Sequence, residues 1–122
     1  MSVKSTVLVV DSNRSSLELL SQQLGQAGYE TLAAASLEEL DQAIQGKQKI
    51  ALSLIDISGF DRHIWERCEE LSKIKIPCIV ISPQRSPAVQ RDSSEHGASG
   101  LLVKPLDFKD LLEYIQCLST EI

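Results

Sequence analysis

The sequence predicts an α/β fold, a single doubly wound parallel sheet of five strands with five helices. Three observations carry this. Short apolar runs rich in β-branched residues recur without polar alternation, the signature of strands buried on both faces. Between them lie segments whose apolar residues repeat at helical spacing. Strand and helix signals alternate throughout, so each strand must cross over to a parallel neighbour, and right-handed crossovers cover both faces of the sheet. The 122 residues are expected to form one domain, 1–122, long enough to bury a core without staples.

The first strand is Thr6 to Val10, Thr-Val-Leu-Val-Val, closed by Asp11. Ser12-Asn13 supplies a helix cap, after which Leu17, Leu20, Leu24 and Ala27 form one stripe ending near Gly25 and Gly28. Tyr29 to Ala35 reads as a strand with the polar content of a sheet edge. Ser36-Leu-Glu-Glu39 is a capping box for a second helix whose buried stripe is Leu37, Leu40 and Ile44. The third strand, Ile50 to Asp56, is the organising stretch: a nearly unbroken apolar run between Gln45-Gly46-Lys47 and Ser58-Gly59, ending in one carboxylate. An unpaired buried carboxylate costs several kcal/mol, so Asp56 is expected where the strand meets water.

Gly59 then turns the chain, and Ile64, Cys68 and Leu71 mark a third helix. Pro77 opens a fourth strand, Cys78 to Ile81, which ends in Ser82-Pro83. From Ser86 to Gly97 only Ala88 and Val89 are good apolar helix residues, predicting a short or mobile fourth helix. Ser99 to Val103 is the fifth strand. Lys104-Pro105 leaves it, and Asp107 caps a last helix with Phe108, Leu111, Leu112, Ile115 and Leu118 on its inner face.

Composition excludes several functions. A formal charge of −5 and a pI near 5.0, with twelve scattered Lys and Arg, argue against unaided binding to nucleic acid or anionic membrane. Cys68, Cys78 and Cys117 lack Cys-x-x-Cys spacing and sit among apolar residues, which predicts reduced core thiols rather than a disulfide or metal cluster. No secretory leader pattern and no apolar run of about 20 residues appears, so a cytoplasmic protein is expected. No internal repeat is present.

One compact solution of the connectivity is the flavodoxin-like strand order 2-1-3-4-5, which sets the ends of strands one and three side by side at the switch point where ligands bind. Four polar residues then close four strands at one edge: Asp11, Asp56, Ser82 and Lys104. On the stretches VLVVD, SLID, IVIS and GASGLLVKPLDFKDLL, and on the Asp11 to Asp56 and Ser82 to Lys104 spacings, the chain resembles the receiver domain of two-component response regulators over essentially its whole length. The resemblance implies that Asp56 accepts a phosphoryl group from the phosphohistidine of a histidine kinase or phosphotransfer protein. Lys104 and Mg²⁺ would neutralise the transferring group, and Ser82 would donate its hydroxyl to the new phosphoryl oxygens. Asp11, Asp56 and the backbone carbonyl of Ser58 would hold the metal. The product would be a switched protein-binding face read by a downstream protein or attached output domain, with phosphorylation-dependent dimerisation as one outcome. The domain would not be an enzyme beyond catalysing its own phosphorylation and dephosphorylation.

Four departures from the family pattern stand out. Ser12 occupies a position usually acidic, and as a hydroxyl is a weak metal ligand that favours the plain role of helix cap, so Mg²⁺ affinity is expected to be reduced. The Asp56 to Ser82 stretch is short and lacks the usual Pro-Gly. Pro83 replaces a small residue, narrowing access to Asp56, and Leu101 replaces an aromatic.

Plainer readings stand beside these. Asp56 alone is a strand-end cap, Lys104 alone an exposed lysine, and Ser82-Pro83 alone a turn. The proline after Lys104 restricts that lysine's backbone and makes the bond a candidate for cis. His63 and His96 are expected at the surface, Trp65 in packing, Lys73 and Lys75 in solvent, and Gln84 as a weak candidate to orient water. Two competing functions follow: a receiver-like interaction module that works without phosphate, and a flavodoxin-like cofactor binder using the Ser12 to Ser16 loop at a helix N-terminus. A hydrolase is excluded because no serine or cysteine has a histidine base.

Overall fold

A computed structural model describes residues 6–46 and 49–119. The Lys47 end of the turn expected before the third strand lies outside the described residues. Ten elements alternate as the apolar pattern requires: β1 Thr6–Val10, α1 Arg14–Gln26, β2 Glu30–Ala34, α2 Leu37–Gln45, β3 Ile50–Asp56, α3 His63–Lys73, β4 Cys78–Ser82, α4 Pro87–Glu95, β5 Gly100–Val103 and α5 Phe108–Ser119. The five strands form one parallel sheet in the order β2-β1-β3-β4-β5.

Alternation along the strands divides the core in two. Leu8, Val10, Ile55 and Val80 face Leu40, Ile64, Cys68 and Leu71 of α2 and α3. Their neighbours Val7, Val9, Leu54 and Ile81 face Leu17 and Leu24 of α1 and Leu111 and Ile115 of α5. Burying side chains on both faces explains why β1, β3 and β4 read as continuous apolar runs. The edge strand β2 pairs only with β1 and keeps Glu30 exposed.

Caps form where side-chain chemistry asks for them. The Asn13 side chain accepts the Ser16 N–H at 3.0 Å, Ser36 Oγ accepts Glu39 N–H at 3.1 Å, and Asp107 Oδ1 accepts Lys109 N–H at 3.1 Å. The α2 capping box differs from expectation in its return half. Glu39 Oε1 accepts the N–H of Ala35 at 2.8 Å, one residue before the cap, while Oε2 takes a hydrogen bond from Arg14 of α1. The glycines that end α1 and α4 are left-handed, with φ +100° at Gly28 and φ +81° at Gly97.

Several expectations need correction. Ala27 is exposed, because α1 stops at Gln26. On α5, Tyr114 joins Phe108, Leu111, Ile115 and Leu118 at the core, and Leu112 stands outside that cluster. Tyr114 can pack there because Gly100 has no side chain; a Cβ at that glycine would run into the phenol ring. Cys68 and Cys78 are core thiols, but Cys117 is exposed. His63 is exposed as expected, whereas His96 stacks on Trp65 with ring centroids 5.8 Å apart. Its Nδ1 donates to the Asp92 carbonyl at 2.7 Å, so His96 joins α4 to α3 rather than facing water freely. The fourth helix is short, nine residues, with Ser93 its only buried side chain.

Candidate functional site

The parallel register brings two carboxylates to adjacent strand ends. Val10 of β1 pairs with Ile55 of β3, so the next residue on each strand, Asp11 and Asp56, sits at the same level of the sheet edge. Both share the side-chain parity of Val9 and Leu54 and face the α1 and α5 layer. They are buried, Asp11 at 8% exposure and Asp56 at 4%. Lys104 follows β5 and reaches back over the edge: its Nζ forms an ion pair with Asp56 Oδ2. The peptide bond between Lys104 and Pro105 is cis.

The second oxygen of Asp56 is also engaged. Asp56 Oδ1 accepts the backbone N–H of Ser58 at 2.9 Å, so the buried carboxylate has a cation on one side and an amide on the other, as a buried charge requires. Asp11 Oδ1 accepts the N–H of Asn13 at 2.9 Å. Burial holds the Asp11 carboxyl above the usual range against the pull of the Asn13 N–H, and the negative charge of Asp56 adds to the rise while Lys104 opposes it.

Asp11, Asp56 and Lys104 line one cavity of about 680 Å³, whose wall continues over Leu20, Pro83 and Phe108. Pro83 is thus part of the wall of the cavity that holds Asp56. Ser82 lies at the same edge but has the opposite parity, and is not part of this cavity wall. Its hydroxyl, 1% exposed as a residue, donates to the Gln84 carbonyl at 2.6 Å. Gln84 and Leu101 line a second cavity on the α4 side, so Gln84 does not border the cavity that holds Asp56.

Ser12 has a role that its sequence position did not reveal. Its hydroxyl donates to the Ser58 carbonyl at 2.9 Å, joining the loop after β1 to the loop after β3, while Asn13 provides the cap of α1. The approach depends on Gly59, which is left-handed at φ +82° and has no Cβ to strike the Ser12 hydroxyl. The N–H groups of Asn13 and Ser16 at the start of α1 are taken by Asp11 and Asn13.

Asp11, Asp56 and the Ser58 carbonyl are hard oxygen donors of the kind Mg²⁺ takes alongside water and phosphate oxygens. A cation would also offset the negative charge of Asp56, which adds to the rise that burial imposes on Asp11. Among the described residues no third carboxylate, histidine or cysteine completes a cluster. The donor set fits the ion with two carboxylates.

Comparison with known proteins agrees with the fold. The chain is 29% identical to a CheY-like response regulator receiver domain protein from Methanospirillum hungatei, whose structure superposes with a TM-score of 0.87 over 98% of this chain and 96% of that one. It is 26% identical to the chemotaxis protein CheY4 of Vibrio cholerae, with a TM-score of 0.82 over 95% and 99% of the two chains. A sequence relative, the DNA-binding transcriptional regulator NtrC of a Bradyrhizobium strain, is 27% identical over 113 residues, 90% of this chain but 23% of that protein; the chain spans about a quarter of this relative's length. Residues 7–116 match the family model described as the response regulator receiver domain. A match that runs from the first strand into the last helix shows that the chain belongs to the response regulator receiver domain family.

Proposed function

We propose that the chain is one receiver domain that accepts a phosphoryl group on Asp56 from the phosphohistidine of a cytoplasmic histidine kinase or phosphotransfer protein. The observation that carries this reading is the state of Asp56: a buried strand-end carboxylate held between the Lys104 ammonium and the Ser58 N–H, facing a cavity large enough for a phosphoryl group. An Asp56 oxygen attacks phosphorus, a P–O bond forms, the P–N bond to the donor imidazole breaks, and an acyl phosphate results. A carboxylate is a weak nucleophile toward an anionic centre, so positive charge must be in place beforehand. Lys104 supplies it, moving from Asp56 Oδ2 to the arriving phosphoryl oxygens. Asp11, Asp56 and the Ser58 carbonyl would hold Mg²⁺, which would supply further charge neutralisation when bound. Ser82 exchanges the Gln84 carbonyl for a phosphoryl oxygen, which releases the β4–α4 loop and alters the face around α4 for a downstream protein, an output domain or a second copy.

Intact-mass measurement after incubation with Mg²⁺ and a small phosphodonor such as acetyl phosphate tests the reading. A gain of one phosphoryl group that Asp56→Asn abolishes, and that Lys104→Ala slows by at least about tenfold, is the expected result. No gain, or a gain indifferent to Asp56→Asn, overturns it.

A second reading has its own observation in support. The Ser12 to Ser58 hydrogen bond and the Lys104 to Asp56 pair already close the site with protein groups, as in an interaction module that works without phosphate. That module would bind its partner equally well as wild type and as Asp56→Ala.

A further inference from the structure

Away from this site, two thiols meet in the core. Cys68, in the middle of α3, and Cys78, the first residue of β4, are both fully buried, and their Sγ atoms share a hydrogen bond at 3.5 Å. The α3–β4 turn brings them together. Lys75 is left-handed at φ 65°, its N–H donates to the Ser72 carbonyl at 3.0 Å, and the Ile76 N–H donates to the Leu71 carbonyl at 2.9 Å. The chain therefore doubles back at once, and Cys78 enters the sheet directly beneath Cys68.

The two thiols are not equivalent. The hydrogen bond to Cys68 draws the Cys78 thiol below its ordinary range despite burial, with help from the Ser53 hydroxyl. The same hydrogen bond and burial push the Cys68 thiol up. Two cysteines serving only as small hydrophobes need no such contact. Two thiols in contact are placed so that oxidation of one lets the other close onto it as a disulfide.

We propose that Cys68 and Cys78 are a modification site, closing to an intramolecular disulfide that ties α3 to the start of β4 when hydrogen peroxide reaches them. The Cys78 thiolate attacks one peroxide oxygen, the O–O bond breaks, and the departing hydroxide takes a proton to leave as water, giving a sulfenic acid. The Cys68 sulfur then attacks the Cys78 sulfur, its proton passing to the leaving hydroxyl, and a second water departs. The thiol pair loses two electrons and the peroxide gains them. Closing the contact to the roughly 2.05 Å of an S–S bond is a movement of side-chain size. A small oxidant is required, because both thiols are fully buried.

The test is to treat the folded chain with hydrogen peroxide, unfold it in N-ethylmaleimide and weigh it. The expected product carries one maleimide, on exposed Cys117, and has lost two hydrogens. Digestion yields a crosslinked peptide joining Cys68 to Cys78, and dithiothreitol restores three modifiable thiols. Cys117→Ser should form the same crosslink, while Cys78→Val should not. Three maleimides after peroxide, crosslinks only through Cys117, or Cys68 and Cys78 oxidised separately without a crosslink would each overturn the proposal. The measurement does not involve Asp56, so its outcome is independent of the phosphoacceptor reading.

Discussion

At the scale of the residue, Ser12 sets the character of the site. A carboxylate there would add a third charge beside Asp11 and Asp56; the hydroxyl adds none and instead holds the Ser58 carbonyl. Ser12→Asp is therefore expected to tighten Mg²⁺ binding by about tenfold or more, since a third hard, charged ligand is worth upwards of about 1.4 kcal/mol. Titration calorimetry on the two proteins gives the ratio, and equal affinities would refute the assignment. Gly59→Ala should cost about 1–2 kcal/mol by urea unfolding, because it forces a side chain into a left-handed conformation and into the Ser12 hydroxyl. Asp11 carries the pH dependence. Its pKa in the folded chain is raised, chiefly by burial, so the folded state binds that proton more tightly than the unfolded one. The resulting destabilisation is fully present above the raised pKa and disappears as pH falls through it to below the ordinary carboxylate range. Asp11→Asn, which keeps an oxygen for the Asn13 N–H, should melt higher than wild type at neutral pH, with the gap closing in acid. On the proposed reading Mg²⁺ would compete with the same proton, and its affinity is expected to weaken as pH falls through that window.

At the scale of the element, α4 is the weakest part of the layer that covers β3, β4 and β5. It buries only Ser93 and is held mainly by its caps, by Val89 against the core, and by His96 on Trp65. Hydrogen exchange followed by mass spectrometry should show its amides exchanging well before those of α1 and α3, because few apolar contacts oppose its opening. An element this lightly held can respond to a small change at Ser82. By contrast, α2 is tied to α3 through Arg67, which grips Asp41 with two hydrogen bonds of 3.0 Å. Asp41 is 36% exposed, so solvent screens the pair, and Arg67→Ala should cost no more than about 0.5–1 kcal/mol in denaturant unfolding.

At the scale of the whole molecule, charge and topology decide what the domain can meet. Its net charge of −5 gives a duplex nothing to attract, so fluorescence anisotropy with labelled DNA at physiological salt should show no saturable binding by this chain. Among the described residues no helix is long and apolar enough to cross a membrane. Nearly every element boundary was legible in the sequence, because a strand buried on both faces must be apolar throughout and its first polar residue marks the edge; the strand order the sheet adopts was one compact solution of that alternation. The edge positions of Asp11, Asp56, Ser82 and Lys104 followed for the same reason. Less legible was which of the four meet. Parity and loop hydrogen bonds turn Ser82 toward Gln84, whereas Lys104 reaches Asp56.

What the sequence determined by itself was periodic: where apolar runs start and stop, which residues cap helices, and hence the alternation of strands and helices. Those features depend on neighbours within a few positions, and local pattern records them. Only the tertiary structure decided that Ser12 would bind a carbonyl 46 residues away, that His96 would lie on Trp65, and that Cys68 would touch Cys78. Such contacts arise when turns and crossovers set separate segments against one another, and the geometry of that approach leaves no period in the chain.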